Sequence, residues 1–290
     1  MDNVIKFGFL LINKPVGMSS YGCIGYIKRI LRSSFVKTTA DMSADTQEIL
    51  SRGPLAQSSL YSDRAPVTKQ GGVMGNRAWG LKIGHAGTLD PFASGLLIIA
   101  LGREATRLIS RVMVMEKTYV ATGKCGELTD TLDLTGTVVA TSDKIPTKQE
   151  LQQALDSFGS SYEQIPPLYS ALKYQGKPLY LLARKKMIEQ EQLQEIADNK
   201  RRIVQLYDKR LLSYEPPFFT IQARVSCGTY IRTLINDIAV RAGSCATTYE
   251  LARTSIGPFG LDQAIDISLL TIDTINDNII HHDMFFCQNS

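Results

Sequence analysis

No apolar run in these 290 residues is long enough to cross a bilayer. The longest, Leu96-Leu97-Ile98-Ile99-Ala100-Leu101, falls far short of the roughly 20 residues a spanning helix needs. The opening Met1-Asp2-Asn3-Val4 carries no basic stretch leading into an apolar one, so no secretory signal is expected. Cysteine is sparse and odd in number, at positions 23, 125, 227, 245 and 287, with no Cys-x-x-Cys pair, and there are three His. Neither a disulfide framework nor a structural zinc site fits this usage; a reducing cytoplasm does. A P-loop, a Gly-x-Gly-x-x-Gly fingerprint, a Gly-x-Ser-x-Gly elbow and a His-Glu-x-x-His pair are all missing, which argues against nucleotide-driven and metal-driven chemistry. Lys and Arg are missing from Leu261 to Ser290, where five Asp occur; since the net charge is +4, the rest of the chain carries +9.

What is present is an ordinary globular composition, 44% hydrophobic and 21% charged, with length enough for a substantial core. The basic residues are clustered. Lys173 to Arg210 holds ten basic and five acidic residues, with Arg184-Lys185-Lys186 and Lys200-Arg201-Arg202 as its densest runs. A basic body with interleaved tyrosines suits a polyanionic partner such as RNA or DNA. A solvated basic face with no partner is equally consistent at this point. A membrane partner is not expected, because the basic clusters are internal and no amphipathic terminal helix carries them.

Along the chain, Gly8 to Asn13 reads as a buried strand followed by a turn at Lys14-Pro15-Val16-Gly17. Ser19 or Ser20 can cap a helix reaching about Leu31, with Cys23, Ile24, Ile27, Ile30 and Leu31 on one face. Residues 36–80 break the pattern with Gly53-Pro54, Gly71-Gly72 and many Ser, Thr and Gln; they read as a loosely ordered insertion. Strands are expected at Thr118 to Lys124, Gly136 to Ala140, Ile203 to Tyr214 and Phe219 to Ser226, with a Thr- and Asp-rich surface turn over Gly126 to Thr135. Thr147-x-x-Glu150 is a capping box opening a helix with Leu151, Ala154, Leu155 and Phe158 on its apolar face. A second helix places Ile231, Leu234, Ile235, Ile238, Ala239 and Ala242 on one stripe and ends at Gly243. With no βαβ period and no internal repeat, the expectation is an α+β fold with a mixed, mostly antiparallel central sheet flanked by helices.

Five positions are chemically suggestive. Asp90 precedes Pro91 in a glycine-punctuated loop, so it is held extended just before a new element. Asp followed by Pro also suits a helix start, while a carboxylate beside a glycine-lined space suits a nucleophile or general base. His85 stands five residues earlier without neighbouring ligands, either as a structural hydrogen-bonding group or as a substrate contact. Tyr230 and Arg232 open the Ile231 helix, where an arginine can bind phosphate, pair with a carboxylate, or simply face solvent. Tyr119 lies on an expected strand and either packs or stacks on a base.

Five blocks in order then carry a resemblance. They are Gly8-Phe9-Leu10-Leu11-Ile12-Asn13-Lys14-Pro15-Val16-Gly17-Met18-Ser19-Ser20; His85-Ala86-Gly87-Thr88-Leu89-Asp90-Pro91-Phe92-Ala93-Ser94-Gly95-Leu96-Leu97; Lys117-Thr118-Tyr119 with Gly126 and Thr129-Asp130-Thr131; Pro166-Pro167-Leu168-Tyr169-Ser170-Ala171-Leu172-Lys173; and Gly228-Thr229-Tyr230-Ile231-Arg232-Thr233-Leu234. Together they resemble the TruB family of pseudouridine synthases, the bacterial type that modifies uridine 55 in the T-loop of tRNA. The likeness runs from about Gly8 to Gly260, interrupted by residues 36–80.

The resemblance implies the pseudouridine synthase fold and an isomerase acting on the T-arm of tRNA as a monomer in the cytoplasm, without metal or organic cofactor. Asp90 would be the nucleophile, Tyr119 would stack on the flipped base and help remove its C5 proton, and Arg232 would pair with Asp90. His85 would support the flipped conformation, Tyr230 and Leu251 would complete the pocket wall, and Lys14 and Pro15 would lie behind the catalytic loop; these five are the expected substrate-binding set. The chain departs from the family in three places. The 36–80 segment enlarges a short loop, Ala252 replaces the first arginine of an Arg-Arg pair and leaves Arg253, and only 30 residues follow Gly260. The expected organisation is therefore a catalytic domain over 1–260 and a short acidic tail over 261–290 with no PUA domain. The alternatives are a tRNA-folding chaperone with impaired catalysis and a synthase acting on another RNA.

Overall fold

The computed structural model describes residues 6–40, 81–185 and 188–286. Its strands, in chain order, are β1 (Gly8–Lys14), β2 (Ile83–His85), β3 (Ser94–Leu101), β4 (Lys117–Cys125), β5 (Glu127–Thr129), β6 (Val138–Thr141), β7 (Ser161–Gln164), β8 (Lys173–Tyr174), β9 (Lys177–Pro178), β10 (Arg202–Glu215), β11 (Phe218–Val225), β12 (Ala246–Ile256), β13 (Phe259–Gly260) and β14 (Ile265–Asp266). The helices are α1 (Ser20–Ala40), α2 (Arg103–Arg107), α3 (Ile109–Met113), α4 (Lys148–Asp156), α5 (Leu179–Arg184), α6 (Gln190–Asp198), α7 (Ile231–Arg241), α8 (Ile272–Asn278) and α9 (His282–Phe285). Ten strands form one sheet in the order β14-β1-β3-β12-β4-β11-β10-β7, with β2 on β3 and β13 on β12. The β1–β14 and β3–β12 pairings are parallel and the others in this sheet antiparallel, as the α+β reading expects. No helix among the described residues is long and apolar enough to cross a membrane.

The two halves of the sheet are covered differently, and the sequence patterns follow from that. In β11, Phe219, Ile221, Ala223 and Val225 are buried against α4 and α7, while Thr220 meets Thr122 at 3.0 Å on the other face and Arg224 pairs with Glu116 at 2.9 Å. One covered face gives clean alternation. In β1 and β3 both faces are covered. Leu10, Ile12, Leu97 and Ile99 pack with α1, whereas Phe9, Leu11, Leu96 and Ile98 pack with residues of α2, α3 and α9. Two-sided burial gives the continuous apolar runs seen in the sequence. Where α7 crosses β4, Gly123 leaves room: a Cβ there would lie 2.6 Å from the Phe219 ring and 2.7 Å from Ile235.

Local signals hold where they are strong. Thr147 and Glu150 form the expected reciprocal cap on α4, and Gly243 follows α7 with φ of 82°. Three expectations are corrected. Helix α1 does not stop near Leu31 but continues to Ala40, into the first residues of the 36–80 segment. The remainder of that segment, 41–80 with Trp79, lies outside the described residues. The Thr- and Asp-rich turn after Gly126 is only partly a surface feature: Leu134 and Thr135 are exposed, but Thr129 and Asp133 are 6% and 5% exposed and turn their polar atoms inward. Finally, the residues after Leu261 do not hang from the body as a tail. β14 pairs with β1, Phe9 and Ile280 exchange two backbone hydrogen bonds of 2.8 Å, and Ile267, Leu270, Ile275 and Phe285 are buried. The physical reason is that β1 needs a partner on its outer edge and a cover for both faces; the acidic side chains point outward while the apolar ones between them supply that cover.

Candidate active site

Asp90 lies between β2 and β3 on a loop fixed from several sides. It does not cap a helix: the Ala93 N–H donates to the Asp90 carbonyl at 3.1 Å, closing a turn that leads into a strand. The loop backbone is then tied down residue by residue. Ser20 donates to the Leu89 carbonyl at 3.0 Å and accepts the Leu89 N–H at 2.8 Å, while its neighbour Ser19 caps α1 by accepting the Gly22 N–H at 2.9 Å. The Pro91 carbonyl accepts the Gly17 N–H at 2.7 Å and the Lys14 ammonium at 3.4 Å. Arg253 of β12, 1% exposed, donates from Nε to the Leu96 carbonyl at 2.8 Å and from Nη2 to the Gly87 carbonyl at 3.1 Å. At Gly95 the backbone adopts φ of 105°, and a Cβ would come within 2.3 Å of the Arg253 carbonyl oxygen. Glycine is required there because β3 and β12 approach too closely for any side chain.

Arg232, in the first turn of α7, is the centre of the site. It is 4% exposed, and its Nε sits 2.9 Å from Oδ2 of Asp90. Its Nη1 reaches Oδ2 of Asp133 at 3.4 Å and donates to the Thr131 carbonyl, and its Nη2 donates to the Tyr169 carbonyl at 2.9 Å. The planar fork of a guanidinium suits several acceptors at fixed angles, which a lysine could not serve together. Asp133 is held in turn: its Oδ1 accepts from the Thr131 hydroxyl at 2.9 Å and from the Thr135 N–H at 2.9 Å. Burial pushes the Asp90 carboxyl above its ordinary value; Arg232 pulls the other way, and Asp133 adds to the rise. Desolvation wins, so the arginine pairs with Asp90 without returning it to the ordinary carboxylate range.

Around this pair the fold leaves a cleft of about 290 Å³. Asp90, Tyr119, Tyr230, Arg232 and Leu251 all line it, so five of the expected site residues converge although they come from a loop, two strands and a helix start. Arg202 of β10 lies over the Tyr230 ring at 4.8 Å from its centroid and also lines the cleft. Ser170 lines it too; it is 4% exposed, and its hydroxyl has no partner. Lys117, on the cleft wall, spends its ammonium on the Met113 and Met115 carbonyls at 2.5 Å, and burial chiefly, with Arg253 nearby, brings it down to about 8.

The other expected contacts stand elsewhere. Lys14 is fully buried, with its ammonium on the Pro15, Met18 and Pro91 carbonyls at 2.9, 2.6 and 3.4 Å, so it braces the loop from behind and does not line the cleft. Burial lowers its pKa. Pro15 is exposed on the turn after β1, also outside the cleft lining. His85 sits on β2 beside β3, likewise outside it, with a buried Nδ1 that has no partner; burial first, then Arg253, lowers its pKa. Sequence reasoning missed Asp133, the bracing role of Arg253, and Gln164, which bonds the backbone of Tyr230. Asp133 could have been suspected from Thr131-x-Asp133-x-Thr135, a spacing that lets flanking hydroxyls saturate one carboxylate oxygen. Nothing local marks Arg253 or Gln164.

Comparison with known proteins identifies the family. Residues 75–231 match the family described as TruB family pseudouridylate synthase, N terminal domain. The chain is 36% identical to tRNA pseudouridine synthase B of Protochlamydia amoebophila over 203 residues, covering 70% of this chain and 74% of that one. It is 44% identical to the protein of the same name in Bordetella avium over 192 residues, 65% and 75% of the two chains. It is 39% identical to human pseudouridylate synthase TRUB1 over 209 residues, 71% and 57% of the two chains. Among solved structures, a Cbf5-Nop10-Gar1 complex superposes with a TM-score of 0.56 at 24% identity, over 92% of this chain and 54% of that chain. An H/ACA RNP bound to a substrate RNA containing 2'-deoxyuridine gives 0.54 at 22%, over 93% and 53%. The chain spans about half the length of those two chains, and the likeness shows a shared fold.

Proposed function

The chain belongs to the TruB family of pseudouridylate synthases, and from that premise we propose that it converts uridine 55 in the T-loop of tRNA to pseudouridine, as a cytoplasmic monomer. The observation that carries the reading is the buried Arg232 guanidinium holding the Asp90 carboxylate at 2.9 Å in a cleft walled by Tyr119, Tyr230 and Leu251. A binding module has no chemical need to hold a half-buried carboxylate on a buried arginine against desolvation. The target base leaves its stack at a cost of a few kcal/mol, offset in part by stacking on Tyr119. Asp90 attacks the flipped nucleotide and the C1′–N1 bond breaks. The base turns, C5 bonds to C1′ as the Asp90 carboxylate is displaced from C1′, the C5 proton leaves with the help of Tyr119, and N1 takes up a proton. Product and substrate are isomers, so the balance closes without an oxidant, reductant or cofactor. The basic stretch Lys173 to Arg210 grips the phosphates of the T-arm. Residues 1–260 supply the site, and the segment after Gly260 completes the sheet that carries it.

The test is tritium release from unmodified tRNA labelled at C5 of uridine. About one equivalent per tRNA, mapped to position 55 and absent with Asp90→Asn, is the expected result. Tight tRNA binding without release contradicts the reading and favours a folding chaperone; release mapped elsewhere makes the protein a synthase for another RNA site.

A further inference from the structure

Helix α7 presents two groups of the cleft, Tyr230 and Arg232, yet Tyr230 at its N-cap position offers no side-chain cap. The start of this helix is held from outside, by Gln164 at the end of β7. Gln164 is 1% exposed. Its Oε1 accepts the Tyr230 N–H at 2.8 Å, and its Nε2 donates to the Tyr230 carbonyl at 3.0 Å and to the Tyr162 hydroxyl. Asp237, farther along α7, lies near the Tyr162 hydroxyl.

The chain of bonds has one direction. The Tyr230 N–H only donates and its carbonyl only accepts, so the Gln164 amide has one orientation. That requirement turns Nε2 of Gln164 toward Tyr162 and leaves Oε1 for the Tyr230 N–H. Tyr230 begins α7 and Gln164 ends β7, so the amide pins the start of the helix to the sheet through both polar groups of one backbone residue.

We propose that Gln164 is a positioning residue for the reaction: its amide grips both polar groups of the Tyr230 backbone and thereby sets Tyr230 and, two residues on, the Arg232 guanidinium against Asp90. The inference rests on the synthase reading above. Gln164 touches neither substrate nor Asp90, and its effect runs through the placement of α7.

Gln164→Met keeps length and approximate volume while removing all three hydrogen bonds. Tyr162→Phe leaves the two bonds to Tyr230 and removes only the third, to the Tyr162 hydroxyl that steadies the amide. The full-length wild type and both variants are compared by thermal melting, by tRNA affinity in filter binding, by single-turnover pseudouridine formation at saturating enzyme, and by hydrogen exchange of the Tyr230 amide. For folded Gln164→Met the single-turnover rate falls roughly 10- to 100-fold while tRNA affinity stays within about twofold, and the Tyr230 amide loses protection. Tyr162→Phe falls less, in the same direction. A folded Gln164→Met with the wild-type rate overturns the proposal, as does a loss confined to affinity. Should Gln164→Met not fold, Tyr162→Phe decides, and a wild-type rate in that variant is the overturning result. If the wild type makes no pseudouridine in tRNA, the synthase reading fails instead, and unchanged Tyr230 exchange in Gln164→Met still refutes the grip.

Discussion

Arg232 concentrates the chemistry of this molecule in one side chain, because two carboxylates and two carbonyls share its guanidinium. Replacing it by Met leaves Asp133 buried and Asp90 half-buried without a counter-charge. The expected loss is about 3–5 kcal/mol of stability, together with turnover; chemical denaturation and single-turnover assays check both. Asp90 carries a sign that can be read in two experiments. Its folded pKa is raised above the 3.8 of a free side chain, so ionising it costs the fold stability once the pH passes 3.8, and the cost is complete above the raised value. Asp90→Asn should therefore melt higher than wild type at neutral pH, with the difference shrinking toward acid. In the proposed reaction the reactive form is the carboxylate, so the single-turnover rate should climb with pH through that raised value and level off above it. A rate that is flat from the ordinary carboxylate range to neutrality argues against Asp90 as the nucleophile.

At the scale of elements, the site depends on how closely strands and helices approach. The catalytic loop runs into β3 at the point where β3 pairs in parallel with β12 through Ser94 and Gly95. Gly95→Ala puts a methyl group against the Arg253 backbone and forces a non-glycine residue to φ of 105°. The strain alone is about 1–3 kcal/mol, and opening β3 from β12 adds to it. Arg253 then loses its hold on Gly87, so this variant should lose activity more steeply than stability, which parallel melting and turnover measurements resolve. Here the limits of local pattern are plain. The alternation of Phe219 to Val225 and the stripe from Ile231 to Ala242 could be read directly, because each element has one buried face. Asp90-Pro91 suited a helix start or a loop equally well, and its turn into a strand was settled by β3 having neighbours on both sides. The Thr131–Thr135 turn was read as solvent-facing because nothing near it in sequence shows the arginine, about a hundred residues on, that draws its polar atoms inward.

For the whole molecule, the segment after Gly260 is the clearest test. It supplies an edge strand to β1 and buries Ile267, Leu270, Ile275 and Phe285, the last stacked on Phe259 with ring centroids 4.1 Å apart. Ending the chain at Gly260 should uncover the outer edge of β1 and part of each of its faces and yield an aggregating or molten product; a truncated protein that melts like the full chain contradicts the packing described. Charge acts at the same scale. Because the first 260 residues carry +9 and the remainder only negative charge, tRNA affinity should fall linearly in log–log plots against salt. The slope should correspond to several phosphate contacts and lessen when Lys200, Arg201 and Arg202 are changed to Ala. A salt-independent affinity is incompatible with a phosphate-gripping face.

The sequence by itself determined the class of fold, most element positions and the identities of Asp90, Tyr119, Tyr230, Arg232 and Leu251 as the residues to watch. Periodicity, capping boxes and ordered motif blocks are local properties, and a chain of one-sided helices and strands displays them. The tertiary structure decided which of the marked residues share a cleft. It placed Lys14 behind the Asp90 loop as expected, left Pro15 and His85 outside the cleft lining, and brought in Asp133, Arg253 and Gln164 as supports, the last 74 residues from Asp90 in the chain. It also turned an acidic terminal stretch into part of the sheet. The reason is physical. Burial of a charged or amide side chain is tolerated only when partners from distant strands meet it, and which strands meet is set by packing the whole sheet.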